Sequence, residues 1–434
     1  MQTLIFEDAL CAQLSPLADA RPACSLSIGS ASLLERLLPF GQLFTSLRPH
    51  LRRYLEQLAG ERAPLWGGPA FAADGISVPA AAARPAETQS RHGSLLLVVN
   101  ARVVPSRESL LTLRSLVEAG HRGIVHAQGH VAAALLHCSS THDGPDDRLL
   151  QVLLAGTAAT DPTEALKAHD LVELDSMIDM LEWPHELVSF HELALAGSLT
   201  VRLDSGGYAE IRPGLFVAPE AHVAEEVVVR QGPVVVETGA EIGPFVCLDG
   251  PLWIGPQTKV NPHAWLRAGC AIGAQCRVGG EIEASVMEAY SNKAHDGFLG
   301  HSHVGSWVNI AAGTVTSNLK VSYGPIRLPA RPGHPAGRLE TGRQFLGALI
   351  GDMAKTGINS SIPCGATIGV AAAVTGNVPA RAEAFTTTLI DDGGLPRRTS
   401  PAQAATGLER MMARRGVELL PADRELLAAL AEKP

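Results

Sequence analysis

Residues 236–278 read VETGAEIGPFVCLDGPLWIGPQTKVNPHAWLRAGCAIGAQCRV, and every sixth residue from Val236 to Val278 is apolar. Glycine follows this apolar residue four times, at Gly243, Gly255, Gly273 and Gly279. A period of six fits neither a 3.6-residue helix nor alternating strands joined by hairpins. It predicts short strands separated by turns, with the apolar side chain pointing into a narrow prism and glycine where a side chain would not fit.

The same six-residue frame extends in both directions from this stretch. It weakens at Ala284 and Tyr290, where we expect side chains to serve something other than packing. A one-residue slip precedes Val236, and an insertion interrupts the frame after Ile310. The further frame residues are Val217, Val223, Val229, Val235, Phe298, Val304, Ile310, Ile350, Thr356, Ile362, Ile368 and Val374.

The composition narrows the classes of function. The 434 residues are 46% hydrophobic, and the net charge of −9 comes from 44 acidic and 35 basic residues that are interspersed. A net negative charge, with acidic and basic residues mixed along the sequence, argues against nucleic acid as a partner. It still permits a small anionic ligand held by a few basic side chains. No apolar run is long enough for a membrane span and no basic, then apolar, leader opens the sequence, so we expect a soluble cytoplasmic protein. We expect the seven cysteines to be small, buried apolar residues of a protein that works in a reducing compartment.

One segment carries the chemistry, and it allows a comparison with a known family. Residues 291–300, SNKAHDGFLG, and 308–318, VNIAAGTVTSN, resemble the acetyltransferase half of the bifunctional N-acetylglucosamine-1-phosphate uridylyltransferase/glucosamine-1-phosphate acetyltransferase family, in a divergent branch. The resemblance implies a left-handed parallel β-helix of hexapeptide repeats at 206–380. It also implies a degenerate nucleotidyltransferase-like α/β domain at 1–205, where strands alternate with helices, and a helical C-terminal tail at 381–434.

The resemblance assigns roles to individual residues. His295 matches the general base that acts on the sugar amine, Asn309 and Asn318 match asparagines at the sugar, and Arg267 matches an arginine that holds a phosphate or uridine diphosphate group. The chemistry supports these residue types, because imidazole titrates near neutrality and a guanidinium fork suits phosphate. Contacts to the co-substrate acetyl-CoA are implied at Ala312, Gly313 and Ile358.

Several of these positions have a second interpretation. Lys293 fits either a solvated charge at the rim of the site or a phosphate contact. Asn309 and Asn318 could cap turns inside the coil instead of binding sugar. His301 and His303 lie two apart on one strand face, but no third ligand has suitable spacing, so we predict no metal site there.

The sequence also departs from the family. Phe298 and Leu319 stand where tyrosines near the sugar are usual, and Glu281-Ile282-Glu283 occupies the region of the phosphate-site lysine. An insertion at 320–346 brings several arginines, which either replace the missing cation or form a solvated loop. These are Arg327, Arg331, Arg338 and Arg343.

The N-terminal domain departs from the pattern by which sugar nucleotidyltransferases bind the triphosphate and magnesium. Sugar nucleotidyltransferases wrap the triphosphate in a glycine-rich loop after the first strand, but here Phe6 runs into Asp8 without a glycine. Arg21 belongs to a remnant of that loop, and Asn100 replaces a magnesium-binding aspartate. An amide is a weaker magnesium ligand, so Mg²⁺ is expected only if other groups such as Asp8 keep this domain active.

These observations predict acetyl-CoA-dependent N-acetylation of an amino-sugar phosphate similar to glucosamine-1-phosphate. Uridylyl transfer from UTP, toward UDP-N-acetylglucosamine, stays open as a second activity. The alternatives are a catalytically silent protein that binds a nucleotide sugar, and an acyltransferase for another nucleotide-linked amino sugar. The resemblance further implies a homotrimer with the acyl donor between neighbouring coils.

Overall fold

The computed structural model describes residues 1–58, 63–66, 76–77, 94–138, 145–155, 162–167, 171–174, 177–329, 337–388 and 396–432. Most of the stretch 61–93, whose richness in Ala, Gly and Pro predicts a loop, lies outside these residues, as does Arg331. No helix within the described ranges is long and apolar enough to cross a membrane. All seven cysteine thiols are free, and five of them are buried.

The N-terminal part is a seven-stranded mixed sheet covered by helices. Its central strands, Gln2–Phe6 and Ser94–Asn100, are parallel, and their alternating side chains are buried on both faces of the sheet. In spatial order the strands are Ile76–Ser77, Gln42–Ser46, Gln2–Phe6, Ser94–Asn100, His130–Cys138, Gly123–Ala127 and Val172–Leu174.

Eight α-helices are found among the described residues, and six of them precede the repeats. They are α1 (Leu33–Leu37), α2 (Pro49–Leu58), α3 (Arg107–Ala119), α4 (Pro145–Ala155), α5 (Pro162–Lys167), α6 (Glu186–Asp204), α7 (Pro401–Ala413) and α8 (Pro421–Ala431). Helix α3 begins at the cap Ser106, whose side chain accepts from the Ser109 N–H, and ends at Gly120 in the left-handed conformation.

The described residues from 209 to 398 form a parallel β-helix with three faces, which the insertion interrupts. Most of its coils take three hexapeptides, as in the pairing of Val234 with Leu252, Glu241 with Lys259, and Cys247 with Trp265. The inward apolar side chains stack into one core, as the six-residue period predicts. The handedness of the helix stays a prediction of the family resemblance.

The first face has ten strands, of which the first pair is antiparallel and the rest are parallel. Helix α6 packs across its outer side, where Leu195 and Leu199 meet Val235 and Trp253. The strands are Ala209–Arg212, Leu215–Val217, Val234–Val236, Leu252–Ile254, Cys270–Ile272, Val286–Met287, His303–Val304, Leu349–Ile350, Thr367–Ile368 and Arg381–Ala382.

The second and third faces meet at the corner that carries the catalytic candidates. Second-face strands are His222–Val223, Glu241–Ile242, Lys259–Val260, Arg277–Val278, Asn292–Lys293, Lys355–Thr356, Ala373–Val374, Thr386–Thr387 and Arg397–Arg398, with Asn309 bridging Asn292 and Lys355. Third-face strands are Val228–Gln231, Cys247–Asp249, Trp265–Leu266, Glu281–Glu283, Phe298–Gly300, Val315–Thr316 and Ser361–Ile362.

The irregular coils explain where the six-residue frame fails. The coil from Leu215 to its partner Val234 is one residue longer than three hexapeptides, so Val235 faces outward against α6 instead of inward. Later, the coil from Ala271 to its partner Val286 is three residues shorter than three hexapeptides, and the inward position moves to Leu299, which is 1% exposed. The prediction that Phe298 is an inward frame residue was therefore wrong, because a shortened coil precedes it.

The insertion and the tail fasten the two large parts of the chain together. The insertion forms two short antiparallel hairpin strands, Arg327–Pro329 and Arg338–Glu340, and buries Ile326 and Leu328 in the core of the N-terminal domain. A second such hairpin, Ser27–Ile28 with Ala31–Ser32, lies within the N-terminal domain. Helices α7 and α8 pack against α2 and a corner of the β-helix.

Candidate acyl-transfer site

His295 lies at the corner between the second and third faces, in a bend that is fixed from several sides. The side chain is exposed, whereas each main-chain carbonyl from residue 293 to 297 accepts a hydrogen bond. The donors are Gly279 N, Asn261 Nδ2, Lys293 Nζ, Gly313 N and Glu281 N, respectively. The backbone under the imidazole is therefore held rigidly while the ring remains open to a ligand.

Lys293 is the unexpected member of this bend. Its side chain occupies an inward position, is 1% exposed, and donates from Nζ to the carbonyls of Gly279 and His295, both at 2.9 Å. Burial lowers the pKa of Lys293 to about 8, although Asp296 and Glu281 act in the opposite direction. The interpretation of Lys293 as a solvated rim charge was wrong, because the shortened coil turns this side chain into the prism.

The turn of the next coil lies directly above the bend. Gly313 donates its N–H to Asp296 O at 3.2 Å, and Ala312 O accepts from Asn359 N at 2.9 Å. Within the described part of the chain the Ala312 N–H has no acceptor. The turn therefore offers one donor for an oxyanion, at Ala312, while the N–H of Gly313 is already used. Ile358, in the following turn, is 69% exposed.

Arg267 is neutralised by its neighbours on the third face. Its guanidinium lies 3.1 Å from Glu281 and 2.9 Å from Glu283 and covers the Trp265 ring at 5.1 Å. Burial raises the pKa of Glu283, and the charge of Arg267 opposes that rise. Two carboxylates already satisfy this arginine, so a phosphate would have to displace them.

Phe298, Asn318 and His301 form a separate group on the third face. A Cβ at Gly300 would lie within 3 Å of both the Phe298 ring and Asn318 Nδ2, so both side chains cover this glycine. Asn318 Nδ2 lies 3.0 Å from His301 Nδ1. Burial, with Arg343 and Arg267, lowers the pKa of His301 to about 4, so His301 is neutral and accepts from the amide.

The insertion reaches this group through one arginine. Arg343 donates to Ser189 Oγ at 2.8 Å and Glu192 Oε1 at 2.6 Å, both on α6, and to the Phe345 carbonyl. Each of its nitrogens is thus used within the protein. Leu319 lies nearby, bridged to Phe345. Arg327 pairs with Glu340 within the hairpin, and Arg338 begins the second hairpin strand.

Asn309 lies on the second face, away from Asn318. It occupies a ladder position between Asn292 and Lys355, with its main chain bonded to both neighbouring coils. The structure therefore does not bring the two predicted sugar asparagines together on one face. His295 lies at the corner between the two asparagines, because Asn309 is on the second face and Asn318 is on the third.

The Asp8 carboxylate does not fit a magnesium site. Asp8 receives three bonds from Arg102, the shortest 2.7 Å, and one from Asn100 Nδ2 at 2.8 Å. Burial would raise the pKa of Asp8, but Arg102 and Asn100 outweigh it and hold that pKa below its usual range. The Arg102 guanidinium supplies the positive charge that a metal would bring, and both carboxylate oxygens of Asp8 already accept hydrogen bonds.

Arg21 is also occupied. It is fully buried and pairs with Asp352 at 2.6 Å and Glu288 at 3.3 Å, both from the β-helix. Glu288 in turn accepts from Ser27 N and lies 3.2 Å from His303 Nε2. The predicted nucleotide contact at Arg21 therefore lies inside a contact between the two domains. Neither Glu288 nor Asp352 was singled out in the sequence, since both are remote from Arg21 along the chain.

Comparison with known proteins agrees with this division of the chain. Residues 3–201 match the family model for sugar nucleotidyl transferases. The bifunctional protein GlmU of Synechococcus elongatus is 26% identical over 253 residues, covering 55% of this chain and 51% of the relative. That of a Nostoc species is 30% identical over 179 residues, or 37% and 33% of the two chains. The chain is thus similar to sugar nucleotidyl transferases over residues 3–201 and to GlmU proteins over about half of its length.

The extent of the GlmU likeness is limited. The chain spans about half the length of the first curated GlmU relatives that it matches. A shorter segment of 87 residues is 44% identical to the bifunctional protein GlmU of Paracoccus denitrificans and covers 20% of this chain and 19% of that one. A solved LpxA structure from Acinetobacter baumannii covers 50% of this chain and 97% of its own at 14% identity, but the TM-score of 0.15 supports no inference.

Proposed function

We propose that the protein transfers an acetyl group from acetyl-CoA to the amine of an amino-sugar phosphate, with His295 as the general base. The observation that carries the proposal is the exposed imidazole on a bend whose five successive carbonyls are all bonded. A base that is held in place while its ring stays open is what proton abstraction from an incoming amine requires.

The reaction follows from the groups at this corner. The amine nitrogen attacks the thioester carbonyl carbon, His295 accepts the proton that the nitrogen loses, and the negative oxygen is stabilised by the Ala312 N–H above the bend. As the carbon–sulfur bond breaks, the proton passes to the leaving sulfur. The products are an amide and the free thiol of coenzyme A.

The surroundings support an acyl donor at this corner. Val315 and Ile358, which are 45% and 69% exposed, lie on the coils next to the Ala312 turn. Exposed apolar side chains of this kind suit an acyl-pantetheine arm or a neighbouring subunit. We propose a cytoplasmic homotrimer with the donor between coils. The oligomer is tested by measuring the mass in solution, and a monomer at assay concentration contradicts it.

The test follows free thiol after the protein is mixed with acetyl-CoA and glucosamine-1-phosphate. We expect thiol release by the wild type and a loss of about 100- to 10,000-fold in His295→Ala, the usual contribution of a general base. His263→Ala is the matched control, since His263 is an exposed histidine at the same corner two coils below. Equal release by His295→Ala, or none by the wild type, contradicts the proposal.

A second candidate is a protein that binds a nucleotide sugar without turnover in its N-terminal domain. The buried Asp8–Arg102 pair favours this for that domain, because it leaves the Asp8 carboxylate closed to a magnesium ion. We therefore expect no Mg²⁺-dependent release of pyrophosphate from UTP and N-acetylglucosamine-1-phosphate. Release that requires Mg²⁺ and is lost in Asp8→Asn would instead assign uridylyl transfer to this domain.

A further inference from the structure

The outer side of the second face carries a straight ladder of polar side chains. Its positions pair in register from strand to strand, one per coil, and each follows the previous one along the β-helix axis. In order these residues are His222, Glu241, Lys259, Arg277, Asn292, Asn309 and Lys355. The lower carboxylate, Glu241, is paired with Lys259 at 2.7 Å.

The upper part of this ladder is basic and has no acidic partner. Arg277 and Lys355 have no carboxylate within ion-pair distance in the described ranges of the chain. Burial lowers the pKa of Lys355, and among the described residues its Nζ donates to the Met353 carbonyl alone, at 3.4 Å. Between these two cations lie the amides of Asn292 and Asn309, which are half-buried.

The tail adds one more cation at the same place, Arg415. Helix α7 passes Lys355 at Gly407, where an added Cβ would lie 3.8 Å from Nζ, and the residues just after the helix lie beside Asn292. There the Arg415 guanidinium donates to Asn292 Oδ1 at 2.5 Å. Burial, and then the charges of Arg277 and Arg414, lower the pKa of Arg415. The positive charges of Arg277, Arg414 and Arg415 repel one another, which costs free energy. A bound anion would offset that cost.

The basic group lies close to the proposed base. Asn292 is three residues before His295 on the same strand and bend, which corresponds to roughly 10 Å of extended chain. On the opposite side of His295, the guanidinium of Arg267 is neutralised by Glu281 and Glu283. The two sides of the corner therefore differ in charge, and the uncompensated positive charge is on the second face.

We propose that Arg277, Arg415 and Lys355, with Asn292, form a phosphate-binding site between the second face of the β-helix and the tail. The ligand is a phosphate monoester or diphosphate, which guanidinium forks bind through paired charge-assisted hydrogen bonds. The phosphate belongs either to the acceptor sugar or to the coenzyme A donor, and this attribution rests on the proposed function. The binding site itself does not.

Binding is measured by calorimetry on the full chain, so that the result does not depend on turnover. The probes are glucosamine-1-phosphate, glucosamine, coenzyme A, 3′-dephospho-coenzyme A and inorganic pyrophosphate. We expect at least one phosphate-bearing probe to bind the wild type, with an affinity that falls as salt is added. In Arg277→Gln/Arg415→Gln the affinity falls at least tenfold, whereas Arg424→Gln behaves as wild type because Arg424 is paired with Glu409 in the same tail.

The probes separate the two sources of phosphate. A loss confined to glucosamine-1-phosphate, with binding of glucosamine unchanged, assigns the site to the acceptor. A loss confined to coenzyme A assigns it to the donor, and a further difference between coenzyme A and its dephospho form locates the 3′-phosphate. Wild-type affinity for every phosphate probe in the double variant, or no binding of any such probe by the wild type, overturns the proposal.

Two further comparisons separate phosphate binding from a structural role of Arg415 and from catalysis. The charge-preserving Arg415→Lys variant should keep most of the affinity, whereas a merely structural role for the Arg415–Asn292 bond would make it as defective as Arg415→Gln. If the wild type releases no thiol but still binds phosphate through these residues, the acetyl-transfer proposal fails while this site stands. If thiol is released and the double variant binds as wild type, the opposite holds.

Discussion

The ammonium group of Lys293 donates a hydrogen bond to the main-chain carbonyl of His295, two residues further along the chain, at 2.9 Å. A second bond from the same nitrogen reaches Gly279 O on the coil below. A buried cation thus joins the bend that carries the proposed base to the adjacent coil. Lys293 acts through the backbone and does not contact the reacting atoms, so it is a positioning residue.

Replacing Lys293 by methionine should therefore lower kcat more than it changes KM. Two buried carbonyls lose their donor, which costs about 1–3 kcal/mol of stability, and the imidazole shifts relative to the acceptor. We expect kcat of acetyl transfer to fall about tenfold and KM to stay within twofold. Lys259→Met, at an exposed lysine of the second face, is the control. An unchanged kcat in a folded Lys293→Met protein contradicts the positioning role.

Arg267→Gln should have little effect on the use of a phosphorylated acceptor. Glu281 and Glu283 already neutralise this guanidinium, so its removal takes away little free positive charge. We expect KM for glucosamine-1-phosphate to change less than about threefold, equivalent to about 0.7 kcal/mol. Steady-state kinetics with glucosamine-1-phosphate decide the point. A tenfold rise in KM would support the role that the family resemblance gives to Arg267.

Arg21→Met should strongly destabilise the contact between the two domains. The guanidinium is fully buried between Asp352 and Glu288, and removing one partner of a buried ion pair leaves uncompensated charge. We expect the free energy of unfolding to fall by about 3–5 kcal/mol in urea titration. Arg327→Gln, in an exposed pair with Glu340, should cost at most about 1 kcal/mol. Equal losses in the two variants would refute this ranking.

His191 should make stability depend on pH. Burial lowers its pKa to about 4, while its ring accepts from Gly29 N and donates to Gly269 O. The unfolded chain takes up this proton near pH 6.5 and the folded one does not, so stability is full above pH 6.5 and is lost toward pH 4. His191→Gln should flatten this slope by about 1.4 kcal/mol per pH unit, whereas the exposed His121→Gln should not. An unchanged slope in both variants excludes the buried imidazole as its source.

The repeat could be predicted from sequence because its signal is local and repeated. Every coil needs an inward apolar side chain, so Val236 to Val278 reveal the prism without any long-range information. The shortened coil could not be predicted. Because three residues are missing between Ala271 and Val286, the sequence after them fits the six-residue spacing of inward side chains in two different registers. That ambiguity misplaced both Phe298 and Lys293.

For a similar reason, only the part of the candidate site that is local in sequence could be predicted. The motif around His295 is contiguous, so the bend and the overlying Ala312 turn lie together as expected from sequence. The neutralisation of Arg267 depends on Glu281 and Glu283, whose proximity follows from coil stacking. The pairing of Arg415 with Asn292 spans 123 residues, and no local pattern indicates it.

The bond from Tyr54 Oη to Asp423, across 369 residues, has a consequence for biosynthesis. Helix α2 leaves the ribosome well before α8, the helix that covers it. Until then Leu51 and Leu55, which are buried in the finished fold, lack the apolar side chains of α8. The nascent N-terminal domain therefore exposes this apolar patch until α8 emerges, and we expect a chaperone that shields short leucine-rich helices to raise the yield of correctly assembled protein.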